Sequence, residues 1–167
     1  MSRFLHGIRR IAFVLLACCS AVALFAQAPA NFSGSWVLNQ EIAKMRGSTL
    51  SLRIEQTAKT LEITREGSGK KTVSTYPVDG TDGVYTTPTG LVGKGHIAIK
   101  GNDLIIDTFV TAGADGEKIR FHTHETWSLG LGGKVLTMHV DTDSPDIPAA
   151  ELATVIHPFD LIFDRRE

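Results

Sequence analysis

The chain has 167 residues, 43% of them apolar, a formal charge of −1 and two cysteines. That length suits one domain with a sizeable core and is short for two. Cys18 and Cys19 both fall in an N-terminal leader, so the rest of the chain has no disulfide, no thiolate metal site and no cysteine nucleophile.

The leader opens with Arg3, Arg9 and Arg10, continues through an almost unbroken apolar run at 11–26, and ends in Ala26-Gln27-Ala28, which puts small residues at the two positions a signal peptidase reads. Residues 1–28 are therefore expected to be a secretory signal peptide cleaved after Ala28, leaving 29–167 as the mature domain. The apolar run is shorter than a full membrane span, and Pro29 and Asn31 follow at once, so no transmembrane segment is expected in the mature chain. Leu15-Leu16-Ala17-Cys18 loosely resembles a lipoprotein processing box, which would acylate Cys18 and tether the protein. The apolar run before that cysteine is short for such a signal, so a periplasmic or secreted product is the main expectation. The pair Arg9-Arg10 lacks the flanking residues of the export route for folded proteins. Removing the leader takes three basic residues and no acidic ones, leaving 14 against 18, a charge of −4 that argues against nucleic acid as a partner. Asn31-Phe32-Ser33 matches a glycosylation sequon, a pattern common by chance.

Beyond the leader, 40–45 has room for one helical turn, and elsewhere the apolar residues alternate. Leu50, Leu52 and Ile54 share one face against Ser51, Arg53 and Glu55; Leu61 and Ile63 continue the pattern, then Val73 with Thr75. Ile97 and Ile99 follow, then runs at 104–110 and 119–129, then Leu136, Met138 and Val140, and finally Leu161 and Phe163. Turns separate these runs at Gly67-Ser68-Gly69, Asp79-Gly80, Asp82-Gly83, Gly101-Asn102-Asp103, Asp115-Gly116 and 130–133. Asp79, Asp82, Asp141, Asp143 and Asp146 read as solvated turn formers, their spacing not being that of a known calcium loop. Short turns make each strand pair with the next, and a meander of about eight to ten strands closes or folds over to hide its edges. The fold expected is all-β, an antiparallel up-and-down barrel.

Phe32-Ser33-Gly34-Ser35-Trp36-Val37-Leu38-Asn39 resembles the Gly-X-Trp opening of lipocalin-like (calycin) barrels, in particular small exported bacterial domains that begin with a run of this kind. The resemblance continues through 50–56, Glu125-Thr126-Trp127-Ser128-Leu129 with Gly132-Gly133-Lys134, and the ending Leu161-Ile162-Phe163-Asp164-Arg165-Arg166. It implies a barrel whose interior holds a small, largely apolar ligand, without specifying which. It also implies that Trp36 closes one end beneath a basic residue near the last strand, here Arg165, as a structural plug.

On the stretch 118–141, Ile119, Phe121, Trp127 and Leu129 fall on one side, with Thr123 and Glu125 in phase with them. Arg120, His122, His124, Thr126 and Ser128 fall on the other. If the apolar side faces inward, Phe121, Thr123, Glu125, Trp127 and, across the hairpin, Met138 are the candidate ligand-lining residues. An inward Glu125 is costly unless paired or wet, so either it lines a cavity or a bulge turns it outward; the bulge is the plainer expectation. A four-residue loop at 130–133 pairs Leu129 with Lys134. Trp127 then faces Leu136, Glu125 faces Met138, His124 faces His139 and His122 faces Asp141. His122, His124, His139 and Asp141 would form a square on the outer surface, a candidate metal site whose alternative is a solvated polar face.

No Gly-X-Ser-X-Gly elbow, phosphate-cradling glycine loop with a following lysine, or His-Glu-X-X-His helix is present. The leading expectation is an exported, non-enzymatic barrel that binds a small apolar or amphipathic molecule and needs no cofactor. Two other classes stay open: an envelope or extracellular interaction module with a filled core, and a metal- or haem-binding protein.

Overall fold

Period-two alternation is realised along most of the described residues. In the computed structural model, which describes residues 30–87, 89–112 and 118–167, ten strands follow one another: β1 (Gly34–Leu38), β2 (Leu50–Gln56), β3 (Thr60–Gly67), β4 (Lys70–Pro77), β5 (Gly83–Thr86), β6 (Val92–Lys100), β7 (Asp103–Ala112), β8 (Ile119–Gly130), β9 (Val135–Asp143) and β10 (Phe159–Arg166). Two short helices interrupt them, α1 (Gln40–Arg46) and α2 (Ala149–Leu152). Sequence neighbours pair antiparallel, and β1 pairs with both β2 (Trp36↔Leu52) and β10 (Trp36↔Arg165), so the sheet closes with no free edge. The shortest stave is β5, whose one registered pair with β4 is Thr75↔Val84. The segment expected to be a signal peptide, and with it Cys18, lies outside the described residues.

The single turn expected at 40–45 is a seven-residue helix. Asn39 caps it by accepting the Glu41 N–H at 3.1 Å, Gly47 ends it at φ 61°, and Glu41 in the first turn with Lys44 and Arg46 in the last oppose the helix dipole. The phase expected for β4 is also corrected. Val73 is exposed, and Ser74 and Tyr76 are the buried inward residues. A Thr- and Ser-rich strand offers apolar residues in both phases, and burying the larger Tyr76 ring removes more apolar area from water.

All odd strands start at one end of the barrel, and that end is sealed. Trp36 is fully buried and its Nε1–H donates to Phe32 O at 3.1 Å. The Gln56 side chain fastens the preceding segment, accepting the Phe32 N–H at 2.9 Å and donating to Ala30 O at 3.0 Å. Arg165 lies over the Trp36 ring and donates to Ser33 O. Above this plug Ile63, Ile106, Trp127, Leu136 and Phe163 have no accessible surface, so nothing as wide as a water molecule separates them from their neighbours. The far end carries α1, the turn at 68–69, residues 87–91 and residues 144–158 with α2.

Candidate functional site

The expected hairpin register is off by two residues. Leu129 faces Leu136 rather than Lys134, so Trp127 faces Met138, Glu125 faces Val140, His124 faces Asp141 and His122 faces Asp143. Gly130 stays in β8, paired with Val135, and the chain reverses through Leu131, Gly132 and Gly133 at φ 48°, 65° and 83°. Three successive left-handed residues favour this later turn, which the two glycines accept freely. A slip of two keeps every side chain on its own face, but the square of His122, His124, His139 and Asp141 does not form. His139 sits opposite Thr126 and pairs through Nδ1 with Asp160 Oδ1 at 2.7 Å, while Asp141 accepts the Thr142 N–H.

The outer face is organised instead by Asp107 on β7, a residue the sequence reading passed over. Its Oδ1 accepts from His124 Nδ1 at 2.8 Å and from His122 Nε2 at 3.1 Å, and His96 Nε2 lies 3.7 Å from its Oδ2. The other His122 nitrogen meets Asp143 Oδ2 at 3.1 Å, and its ring stacks on Phe109, centroids 4.6 Å apart and planes 4° from parallel. Burial pushes the Asp107 carboxyl upward, but the hydrogen bonds and charges of His124 and His122 outweigh it and hold the group below the usual carboxylate range. The Asp107 carboxylate thus occupies the point on which the two rings converge. Among the described residues no group of three or more His, Cys, Asp or Glu side chains is arranged to hold a metal ion.

Inside the barrel, Glu125 faces inward with no bulge, because β8 keeps an unbroken register against both β7 and β9. What makes its burial tolerable is Arg65 on β3, which meets it across the interior, Nη2 to Oε2 at 3.0 Å, with both side chains at least nine-tenths buried. Trp127 Nε1–H also donates to Glu125 Oε2, at 2.8 Å. The Arg65 guanidinium carbon stands 5.4 Å from the Trp127 ring centroid and 5.8 Å from that of Tyr85. With Ser74 and Thr108, these residues are the buried polar and charged side chains among the described residues. They form a polar layer between the apolar plug and the far end. Arg65 carries a signal in the sequence, a cation in phase with the buried Leu61 and Ile63.

Two donors of this layer have no partner among the described residues: Arg65 Nη1 and Tyr76 Oη. Burial works against the Arg65 charge, but Glu125, Tyr76 and Tyr85 more than offset it, so the group stays protonated. Burial also pushes the Tyr76 hydroxyl well above its ordinary value, Arg65 opposing only in part, so it remains a neutral O–H. Of the candidate lining residues, Phe121 and Thr123 are half-buried between Glu125 and the far end, whereas Glu125, Trp127 and Met138 are buried. A cleft of about 330 Å³ opens at the far end between β2, β3 and β4, lined by Leu50, Gly67, Lys70, Thr72 and Thr89 and reaching Arg65. A second depression, about 600 Å³, lies against Val92, Phe109, Arg120, His122 and Asp143.

No protein-family model matches the chain, and no curated protein matches it in sequence. Solved structures do. One is a REP1-NXSQ fatty acid transporter, 15% identical, TM-score 0.55, covering 81% of this chain and 96% of that one. Another is fatty-acid-binding protein 1 of Echinococcus granulosus, 12% identical, TM-score 0.56, covering 81% and 98%. A third is the Schistosoma mansoni fatty acid binding protein in complex with arachidonic acid, 13% identical, TM-score 0.54, covering 81% and 96%. At 12–15% identity the likeness is one of fold alone: the chain is a closed ten-stranded antiparallel barrel similar to the barrels of these solved structures.

Proposed function

We propose that this chain is an exported, non-catalytic carrier whose barrel holds a small apolar or amphipathic molecule at the end away from Trp36. The observation that carries this reading is the far-end cleft of about 330 Å³ that reaches Arg65, a volume within the range of ~300–1,000 Å³ usual for small-molecule sites. Phe121 and Thr123, the half-buried inward residues of β8, belong to the same half of the barrel. The names of the similar structures, a fatty acid transporter and fatty-acid-binding proteins, point to the same class of ligand. Export rests on the signal-peptide features of 1–28.

Native mass spectrometry of the protein purified from its own host tests the reading. A second mass above the bare chain, lost on extraction with organic solvent, is expected. Bare chain alone, together with failure to bind the neutral apolar dye Nile red, would sink it. A second reading, an interaction module with a filled interior, is favoured by one observation. Trp36, Tyr76, Trp127 and Phe163 are fully enclosed, while Val84, Val92 and Phe109 stand exposed on the consecutive staves β5, β6 and β7. That reading expects the bare chain.

A further inference from the structure

On the outer face of β8, three side chains form a hydrogen-bonded relay. His124 is the registered partner of Asp107 on β7, and Thr126 stands two residues further along β8, so period two puts all three on the same face. Asp107 Oδ1 accepts from His124 Nδ1 at 2.8 Å, and the Thr126 hydroxyl meets His124 Nε2 at 3.4 Å. A carboxylate only accepts, so Nδ1 carries the proton, and in the neutral ring Nε2 turns its lone pair toward the Thr126 O–H. Acid, imidazole and hydroxyl hold the roles, and use the ring nitrogens, of an Asp-His-Ser triad, with threonine as the nucleophile. The second contact is long, as such contacts often are before a substrate is bound. The first is secure, because the bonds and charges of His124 and His122 hold the Asp107 carboxyl below the usual carboxylate range and keep it ionised near neutrality. His124 and Thr126 are half-buried on an open sheet face, so a reactant reaches them from solvent and needs no cavity.

Independently of the carrier reading, we propose that Thr126 is an acyl-acceptor site, taking an acyl group from an activated ester, such as an aryl ester or a thioester, with His124 as base and Asp107 as its positioning residue. In the step, Thr126 Oγ1 forms a bond to the acyl carbon and gives its proton to His124 Nε2. The bond from that carbon to the leaving oxygen or sulfur then breaks, and the electron pair departs with the phenolate or thiolate. His124 passes the proton to solvent, so the products are a threonine ester, the leaving anion and a proton. The sheet also sets the limit of this chemistry. Residues 122–128 are registered against both β7 and β9, so their backbone N–H groups are spent inside the sheet and do not cradle an oxyanion. One such donor is worth about 10²–10³ in rate. Without it only a good leaving group departs, and the threonine ester, whose own leaving group is poor, stays. Thr126 is thus modified once and does not turn over, which is compatible with a protein that is no enzyme.

The experiment incubates the purified protein with 4-nitrophenyl acetate at about pH 8, where an ordinary imidazole is neutral, and maps the acetyl groups by peptide mass spectrometry over time. Hydroxylamine removes an acetyl group from a hydroxyl and leaves one on a lysine, so the two are told apart in one sample. Thr126 is expected to be acetylated about a hundredfold faster than Thr111, an exposed threonine of β7, which is the lower end of what a positioned base contributes. Thr126→Val should abolish the hydroxylamine-sensitive label and Thr126→Ser should keep it at the same position. His124→Gln and Asp107→Asn should each slow it about tenfold or more relative to the lysines of the same sample, a ratio that a general loosening of the barrel would not move. Acetylation of Thr126 no faster than of Thr111 would overturn the proposal. So would a Thr126-to-lysine ratio that His124→Gln leaves unchanged, since the hydroxyl would then react without its base; a ratio unchanged in Asp107→Asn alone would overturn the role given to Asp107.

Discussion

The guanidinium carbon of Arg165 stands 4.9 Å from the centroid of the Trp36 ring. The two residues are registered partners on β1 and β10, so the contact lies across the seam that closes the barrel. Strand pairing, aromatic burial and a charge over a ring thus converge on one pair. Trp36 has no accessible surface and Arg165 is exposed, so the energies divide unequally. Trp36→Ala is expected to cost about 3–5 kcal/mol, as truncation of a buried aromatic does. Arg165→Ala should cost about 0.5–1 kcal/mol, the range for an exposed cation–ring contact. Urea unfolding of the three proteins measures both, and a Trp36→Ala loss under ~1 kcal/mol would show that the plug carries little of the stability.

Gly95 gives a second test of packing. An added Cβ would fall 2.9 Å from each of Asp107 O, Thr108 Cγ2 and Tyr76 Cε1, two of them on the neighbouring β7. Gly95→Ala is therefore expected to destabilise by about 1–3 kcal/mol, the usual result of overpacking, despite alanine's smaller unfolded-state entropy. Tyr76 should report it as well, through a change in its near-ultraviolet circular dichroism. An unchanged midpoint and spectrum would mean that β6 and β7 move apart freely here.

The hairpin shows what the sequence makes readable and what it does not. Inward and outward faces of β8 and β9 follow from alternation alone, because parity is a local property of each strand. Register is a property of the turn, and three glycines at 130, 132 and 133 left two four-residue loops open. The choice depends on which residues accept positive φ, and Leu131, an apolar residue at φ 48°, was not a natural candidate. The phase of β4 was lost for a related reason, since Val73 and Tyr76 compete for the core and only the closed barrel shows Tyr76 over Gly95. Arg65 is a different case. Its inward phase was visible beside Leu61 and Ile63, but its partner Glu125 lies sixty residues away on a stave across the barrel, a meeting no local pattern encodes.

Leu131 itself is a site of strain. It is largely exposed and holds a left-handed conformation that costs a non-glycine residue about 1–2 kcal/mol. Leu131→Gly should stabilise the protein by about 0.5–1 kcal/mol, the relief of strain exceeding glycine's entropic penalty. Thermal unfolding measures this. A loss of stability would show that the leucine's remaining contacts outweigh its backbone cost.

Asp146 supplies an electrostatic test that needs no unfolding. Its carboxylate accepts from Arg120 Nη2, Arg120 Nε and the Arg120 backbone N–H, at 2.5, 3.0 and 2.8 Å. The Arg120 side-chain hydrogen bonds above all hold its pKa at about 2, against an ordinary 3.8. Carbon-detected magnetic resonance titration should find that low midpoint, and Arg120→Ala should move it most of the way back toward 3.8. A midpoint that stays low in the variant would assign the shift to the surviving backbone hydrogen bond.

Asp107 makes the stronger claim about pH, because its partners tie three strands together. His124 Nδ1 and His122 Nε2 both bond its Oδ1, and His96 faces Oδ2 from β6. Beyond them, Asp143 holds the far side of His122, while Asp82 holds His96 at 3.6 Å and Lys94 at 3.8 Å. Burial alone would raise the Asp107 pKa, and the histidine bonds and charges carry it the other way, below the ordinary 3.8. A carboxyl whose folded value is depressed binds its proton more weakly folded than unfolded. Its contribution to stability is therefore complete above the ordinary value and drains away as pH falls through the lower folded value. Asp107→Asn keeps the shape and one acceptor oxygen while removing the titration. The stability gap between the parent and this variant, from urea midpoints, should hold between about pH 5 and 4 and shrink steadily below the carboxylate range. A gap that is flat down to about pH 2.5 would show that Asp107 titrates alike in the folded and unfolded chains, and that its histidine bonds contribute nothing to the acid stability of the barrel.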